Sequence, residues 1–347
     1  MSHAKLFTTL VITAFILYAL AGFYLLPLAN FEGGLTRLGK LPESLFGWNK
    51  SQPVISPQLF SQADWQDADV LVIGDSFSVG DATSSNTRPY LWQTVLVQSG
   101  LKVHTEGWGN IRAICTDFIP WVQSKGFEGK YIVLENVERA AESNLDKSIA
   151  CQKMNYKNTP PLLPTPPDVK ADRSRISYSG KLSVGIETWL HQLTYLYLSE
   201  RPDFKQQELS NHVKIQRMSD GCDLFSHPRC QDVLFFTEDR IEDFDENMFS
   251  KMSQIESRLV GLVPVWVIVP DKTTVYLNSN KQFWNTAEQR FRAPNLLKTF
   301  RNEIQNKTVD FYRGNDTHLS TEGFLVMGRS ISVHFESKAL PPLVSRK

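Results

Sequence analysis

The sequence predicts an α/β fold on a mostly parallel sheet, and three observations lead there. Short β-branched apolar runs, Val70–Ile73, Tyr131–Leu134 and Val265–Val269, alternate with helix-length segments, the pattern of βαβ units. Each run stops in polar or turn-forming residues: Gly74-Asp75-Ser76, Glu135-Asn136 and Pro270-Asp271-Lys272. With 347 residues, 41% hydrophobic and 21% charged, the chain can bury a substantial core.

Three regions follow in order: residues 1–30, residues 31–68, and a main domain over 69–340 with an insertion at about 152–238. From Leu6 to Ala29 no residue is charged, which is enough to cross a bilayer as a helix of about 20 residues. Lys5 precedes this run and Glu32 follows it, so the positive-inside rule puts the body of the protein outside the cytoplasm. A cleaved signal peptide ending near Ala19-Leu20-Ala21 is the rival reading. Apolar residues continue past that site (Phe23, Leu25, Leu26, Leu28) and favour an uncleaved anchor. Residues 31–68, rich in Pro, Ser and Gln around Phe46, Trp48 and Trp65, read as a juxtamembrane linker.

The main domain opens with the strand Val70–Ile73. A helix is expected over Tyr90–Ser99, a strand over Leu101–Thr105 leading into Glu106-Gly107-Trp108-Gly109-Asn110, a helix around Cys115–Ser124, and the strand Tyr131–Leu134. Asn158–Asp168 holds five prolines and is expected to be an extended loop. Leu182–Leu198 reads as a helix, and His212–Met218 with Asp232–Phe236 as a hairpin. With few apolar runs of its own, this region is expected to be an insertion without an independent core. The α/β pattern resumes with a helix over Asp245–Val260, the strand Val265–Val269, a helix over Asn285–Gln305 interrupted at Pro294, a last strand at Thr308–Phe311, and a closing helix from Thr321.

Lys+Arg and Asp+Glu balance at 37 each, so no whole-chain field points to nucleic acid. The four cysteines follow the apolar segment, and an even count in an exported chain predicts two disulfides. Cys222 and Cys230 enclose a seven-residue loop and pair most readily, leaving Cys115 for Cys151. No Cys-x-x-Cys occurs, and no metal site is expected.

In open α/β sheets, sites form beyond the carboxyl ends of the strands. Ser76, Gly109, Asn136 and the Asp316-Thr317-His318 segment are all expected there. A serine hydroxyl needs an adjacent base to become a nucleophile. His318 is the candidate base, and Asp316 the group that orients it. The Ser76 and Gly109 backbone N–H groups, with the side chain of Asn136 or Asn110, are candidate oxyanion donors. Taken singly, Gly-Asp-Ser after a strand is also an ordinary turn with an N-cap, and Asp-x-His is common in loops. Shared position at strand ends gives them joint weight. His104, His191, His212, His227 and His334 lack matched partners and are read as structural.

The blocks VLVIGDSFS (70–78), YIVLENVER (131–139), LFSHPRCQDVLFFTED (224–239), VWVIVPDKTTVYL (265–277) and NDTHLSTEGF (315–324) resemble those of SGNH (GDSL-type) hydrolases. More narrowly, they are similar to the periplasmic alginate O-acetyltransferase family and its relatives in other exopolysaccharide systems. The Asp-x-His spacing, where SGNH esterases usually carry Asp-x-x-His, favours that branch. The resemblance implies a three-layer α/β/α fold and a Ser76–His318–Asp316 triad that moves acetyl groups onto polysaccharide hydroxyls. It also implies a membrane-bound O-acyltransferase partner as donor, no soluble cofactor, and a location at the bacterial inner membrane facing the periplasm. An acetylesterase with the same triad and a non-catalytic scaffold of a secretion complex are the alternatives.

Overall fold

The computed structural model describes residues 3–81, 88–160, 162 and 177–335. It divides into two compact units: Met1–Lys50 with Lys170–Thr237 and Gly314–Asp316, and Ser51–Val169 with Glu238–Arg313 and Thr317–Lys347. Among the described residues the strands are β1 (Val70–Gly74), β2 (Val103–Gly107), β3 (Tyr131–Val137), β4 (Gln206–Ser210), β5 (Val213–Arg217), β6 (Asp232–Phe236) and β7 (Val263–Val269).

The larger unit is the expected α/β body. Its sheet runs β2-β1-β3-β7, every pair parallel, with Val70 opposite both Val103 and Tyr131, and Tyr131 opposite Val263. All five residues of β1 and all seven of β3 are buried, so the strands read as apolar runs rather than alternating ones. β3 runs past Leu134 through Glu135 and Asn136 to Val137, and the helix Glu138–Ala150 starts at once. Polarity predicts an earlier stop, but partners inside the fold keep these side chains buried. The Asn285–Gln305 segment forms two helices, Phe283–Arg290 and Leu296–Gln305, on either side of Pro294. Cys115–Cys151 ties the segment ahead of the helix Phe118–Ser124 to the end of the helix Glu138–Ala150. Arg258 donates to the Ile114, Ser148 and Ile149 carbonyls beside this bridge.

One expected strand is absent. Thr308–Phe311 is a turn, with Lys307 at φ 56° and Asp310 at φ 54°; left-handed residues at these positions cannot continue a strand. A single antiparallel bridge, Tyr312 to Leu319, closes the following loop instead. Of the proline-rich loop Asn158–Asp168, residues 161 and 163–168 lie outside the described residues.

The smaller unit begins with the helix His3–Leu25 and the 3-10 turn Leu26–Ala29. Together they form one helical segment long and apolar enough to cross a membrane, with none of its most apolar stretch buried by protein. β4, β5 and β6 form an antiparallel meander, in which Arg217 faces Asp232 across the expected hairpin. Cys222–Cys230 pins its connection. The expectation of a linker over 31–68 needs correction where residues 35–46 join a core, and the insertion shares that core rather than holding one of its own. Leu35, Leu41 and Phe46 from the first segment pack with Tyr195, Val213, Ile215 and Leu234 from the second. Each segment alone is too poor in apolar residues to hold a core, and the two are far apart in sequence.

Candidate active site

Ser76 is the first residue of a short helical turn, Ser76–Val79, that leaves β1 through Asp75. The Asp75 carboxylate accepts from the Phe77 N–H at 2.9 Å and from the Val137 N–H at 2.6 Å. It thus caps the turn and straps it to the end of β3. Glu135, fully buried below, accepts from the Asp75 N–H at 2.9 Å and the Ser78 hydroxyl at 2.7 Å. The Trp92 indole in turn donates to Ser78 Oγ at 3.1 Å. Gly74 is required by this packing: a Cβ there would stand 2.2 Å from Ser78 Oγ and 2.5 Å from a Glu135 oxygen.

His318 reaches the serine from the last loop of the unit. Its Nε2 lies 2.7 Å from Ser76 Oγ, across a sequence separation of 242 residues. The ring is buried and rests against Phe77, centroids 4.8 Å apart. The loop is pinched at its root, where the Arg313 N–H donates to the His318 carbonyl and the Ser320 N–H to the Phe311 carbonyl. Lys272, buried at the start of the helix Lys272–Tyr276 after β7, donates from Nζ to the Arg313 carbonyl at 2.8 Å. A serine with an imidazole nitrogen in hydrogen-bond reach can be deprotonated as it attacks. The arrangement requires the tautomer with the proton on Nδ1, which lies 3.5 Å from Thr317 Oγ1.

Asp316 is grouped with the smaller unit. There its fully buried carboxylate accepts from the Gly34 N–H at 2.9 Å, while the Asn315 carbonyl accepts from Leu35 at 3.0 Å.

The oxyanion candidates divide. The Ser76 N–H makes no hydrogen bond among the described residues, as befits the first position of a helical turn. Gly109 sits just past the end of β2, exposed, and a Cβ there would meet nothing within 4 Å; the space beside it is open to a ligand. The two asparagines point elsewhere. Alternation along β3 sends Glu135 toward the nucleophile turn and Asn136 to the opposite face, where its Oδ1 accepts from Asn144 at 2.8 Å and its buried Nδ2 has no hydrogen-bond partner among the described residues. Asn110 donates to Glu106 at 3.0 Å. His104, His191 and His227 each bind a backbone carbonyl, in keeping with structural roles.

Sequence reasoning missed Glu135 and Lys272 as supports of the site. Burial, and next the neighbouring Asp75 charge, push the Glu135 carboxyl well above the usual carboxylate range. It is therefore a buried strut rather than a surface charge. Its signal was a lone Glu at the end of an otherwise apolar strand. A second buried network flanks these supports at the ends of β3 and β7. Arg139 lies between Asp271 and Asp239, the latter at 3.4 Å, and Lys281 pairs with Glu138. Burial, and then the Asp239 charge, also raise the Asp271 carboxyl well above its usual range.

No family model, curated protein or solved structure matches this chain.

Proposed function

We propose that the chain is an O-acetyltransferase of SGNH type, anchored in the bacterial inner membrane by residues 3–29 with its catalytic body in the periplasm. It transfers acetyl groups to hydroxyls of an exopolysaccharide or cell-surface glycan. The observation that carries this reading is the 2.7 Å contact between Ser76 Oγ and His318 Nε2, formed between a strand-end turn and a loop remote in sequence. The apolar N-terminal helix supports the location, and the two disulfides accord with an oxidising compartment.

In the first half-reaction Ser76 Oγ attacks the acetyl carbonyl carbon of the donor ester as its proton passes to His318 Nε2. The Ser76 and Gly109 N–H groups receive the developing oxyanion. Collapse of the intermediate breaks the donor C–O bond, and the imidazolium returns the proton to the leaving oxygen. In the second half-reaction a sugar hydroxyl gives its proton to His318 and attacks the acetyl-serine; as the acyl–Oγ bond breaks, the imidazolium returns that proton to Ser76 Oγ. Asp316, two residues before the base, is assigned to orienting and stabilising the imidazolium. The donor in this reading is a membrane-bound O-acyltransferase partner, and no soluble cofactor takes part.

The test is to incubate the purified full-length protein with p-nitrophenyl acetate, with and without oligosaccharide acceptors, beside Ser76→Ala. Acetylated oligosaccharide and a Ser76-acetyl peptide by mass spectrometry are expected, both absent from the variant. Hydrolysis without transfer to any acceptor selects the esterase. Hydrolysis retained by Ser76→Ala refutes the site.

A further inference from the structure

Within the smaller unit, the helix Leu182–Ser199 carries a face that protein leaves uncovered. Ile186, Leu190, Leu193 and Tyr197 are 41%, 50%, 46% and 74% exposed, respectively. Steps of four, three and four residues stack them along one side of the helix. Gly185, Thr188, Tyr195 and Ser199 are its buried residues. A continuous apolar row of this kind marks an interaction surface, whereas single exposed apolar residues do not.

The head of the row shows what covers it. Leu182 and Tyr178 line an apolar groove of about 290 Å³ whose other wall is Tyr18, Ala19, Gly22, Phe23 and Leu26 of the N-terminal span. Tyr178 meets the Phe23 ring edge-on at 5.6 Å. Gly185 sits so close to the end of the span that a Cβ would lie 2.2 Å from the Leu25 carbonyl oxygen. At 3.6 residues per turn, Leu182, Ile186, Leu190, Leu193 and Tyr197 fall within an arc of about 80°. The exposed row therefore continues the side of the helix that Leu182 turns toward the span. Thr194 and Glu187, both exposed, fall on the polar flank of that arc.

We infer that the helix Leu182–Ser199 is an interfacial membrane helix. Its Ile186/Leu190/Leu193/Tyr197 face lies in the headgroup–acyl boundary of the leaflet where the span emerges, and the lipid bilayer itself is its partner. Tyr178 and Tyr197 place amphipathic rings at that boundary, as aromatic residues do at membrane surfaces. The inference rests on the reading that residues 3–29 cross the membrane and is independent of the acetyl-transfer chemistry.

The experiment uses the full chain in phosphatidylethanolamine/phosphatidylglycerol vesicles. Leu190→Cys and Thr194→Cys are labelled separately with an environment-sensitive fluorophore, with both disulfides left oxidised. A doxyl-bearing lipid is expected to quench the probe at 190 several-fold more than the probe at 194, and aqueous iodide to show the reverse order. Tyr197→Cys repeats the measurement if Leu190→Cys does not fold. Alkaline extraction reports the span separately. A retained protein whose 190 and 197 probes are as open to iodide as the 194 probe overturns the interfacial helix alone, and so do 190 and 197 probes shielded from both iodide and the doxyl lipid, the result expected if protein covers the row. Release by alkali overturns the membrane span and the inference with it.

Discussion

Glu135 offers the sharpest test of how the nucleophile is held. Replacing it with Leu removes the acceptor for two buried donors, the Asp75 N–H and the Ser78 hydroxyl. An unsatisfied buried donor costs about 1–3 kcal/mol. Ser78 can rotate and keeps its bond from Trp92, so Glu135→Leu should lose roughly 2–4 kcal/mol in all. Asp75 also caps the turn that carries Ser76, and a displacement of about 1 Å at the reacting atoms can cost about 100-fold in rate. Glu135→Gln keeps an acceptor oxygen and cannot ionise. Because burial raises the folded-state pKa of Glu135, its stabilising contribution is complete below the ordinary carboxylate range and is lost as pH climbs toward the raised value. Glu135→Gln should therefore match the wild type near pH 4.5 and become relatively more stable as pH rises. Urea unfolding from pH 4.5 to 8.5, with ester hydrolysis in parallel, measures both effects. Parallel pH profiles for wild type and Glu135→Gln, or a Glu135→Leu protein as stable and active as wild type, would refute the strut.

Four further outcomes are expected. Ser76→Ala and His318→Ala should each lower esterase turnover by at least about 10³-fold, with thermal unfolding shifted by no more than a few degrees. Asp316→Asn should lower kcat by about 10²–10⁴-fold by losing control of the imidazole tautomer, read from the pH–rate profile. Lys272→Met removes the donor to the Arg313 carbonyl; a fall in kcat of about 100-fold with KM little changed would identify it as a positioning residue. Replacing both cysteines of the Cys115–Cys151 pair, 36 residues apart, should cost about 4 kcal/mol. The Cys222–Cys230 pair, 8 residues apart, should cost about 2.5 kcal/mol. Chemical denaturation of the two serine double variants measures the ranking, and a reversed order would defeat the loop-entropy argument.

The parts of the molecule that were legible in sequence are those decided within one element. Hydrophobic runs located β1, β3 and β7, and Pro294 broke its helix. Errors arose where distant chain segments decide the outcome. Glu135 and Asn136 looked like the end of a strand, but β3 continues because Asp75, Ser78 and Asn144 supply their partners. Thr308–Phe311 has the apolar residues of a strand, but its chain turns left-handed at Lys307 and Asp310. The asparagines chosen as oxyanion donors stand at the right positions along the chain. Strand alternation and a nearby carboxylate turn them to other partners.

By itself the sequence determined the α/β class, the apolar N-terminal segment, the disulfide partners and the identity of the nucleophile and base as candidates. Those features follow from local periodicity, cysteine spacing and residue chemistry. Only the tertiary structure decided that Ser76 and His318 meet, that a buried Glu135 braces the turn between them, and that residues 31–50 share a core with the insertion. Each of these depends on contacts between segments tens to hundreds of residues apart, and the energy of such contacts is not written in any single window of the chain.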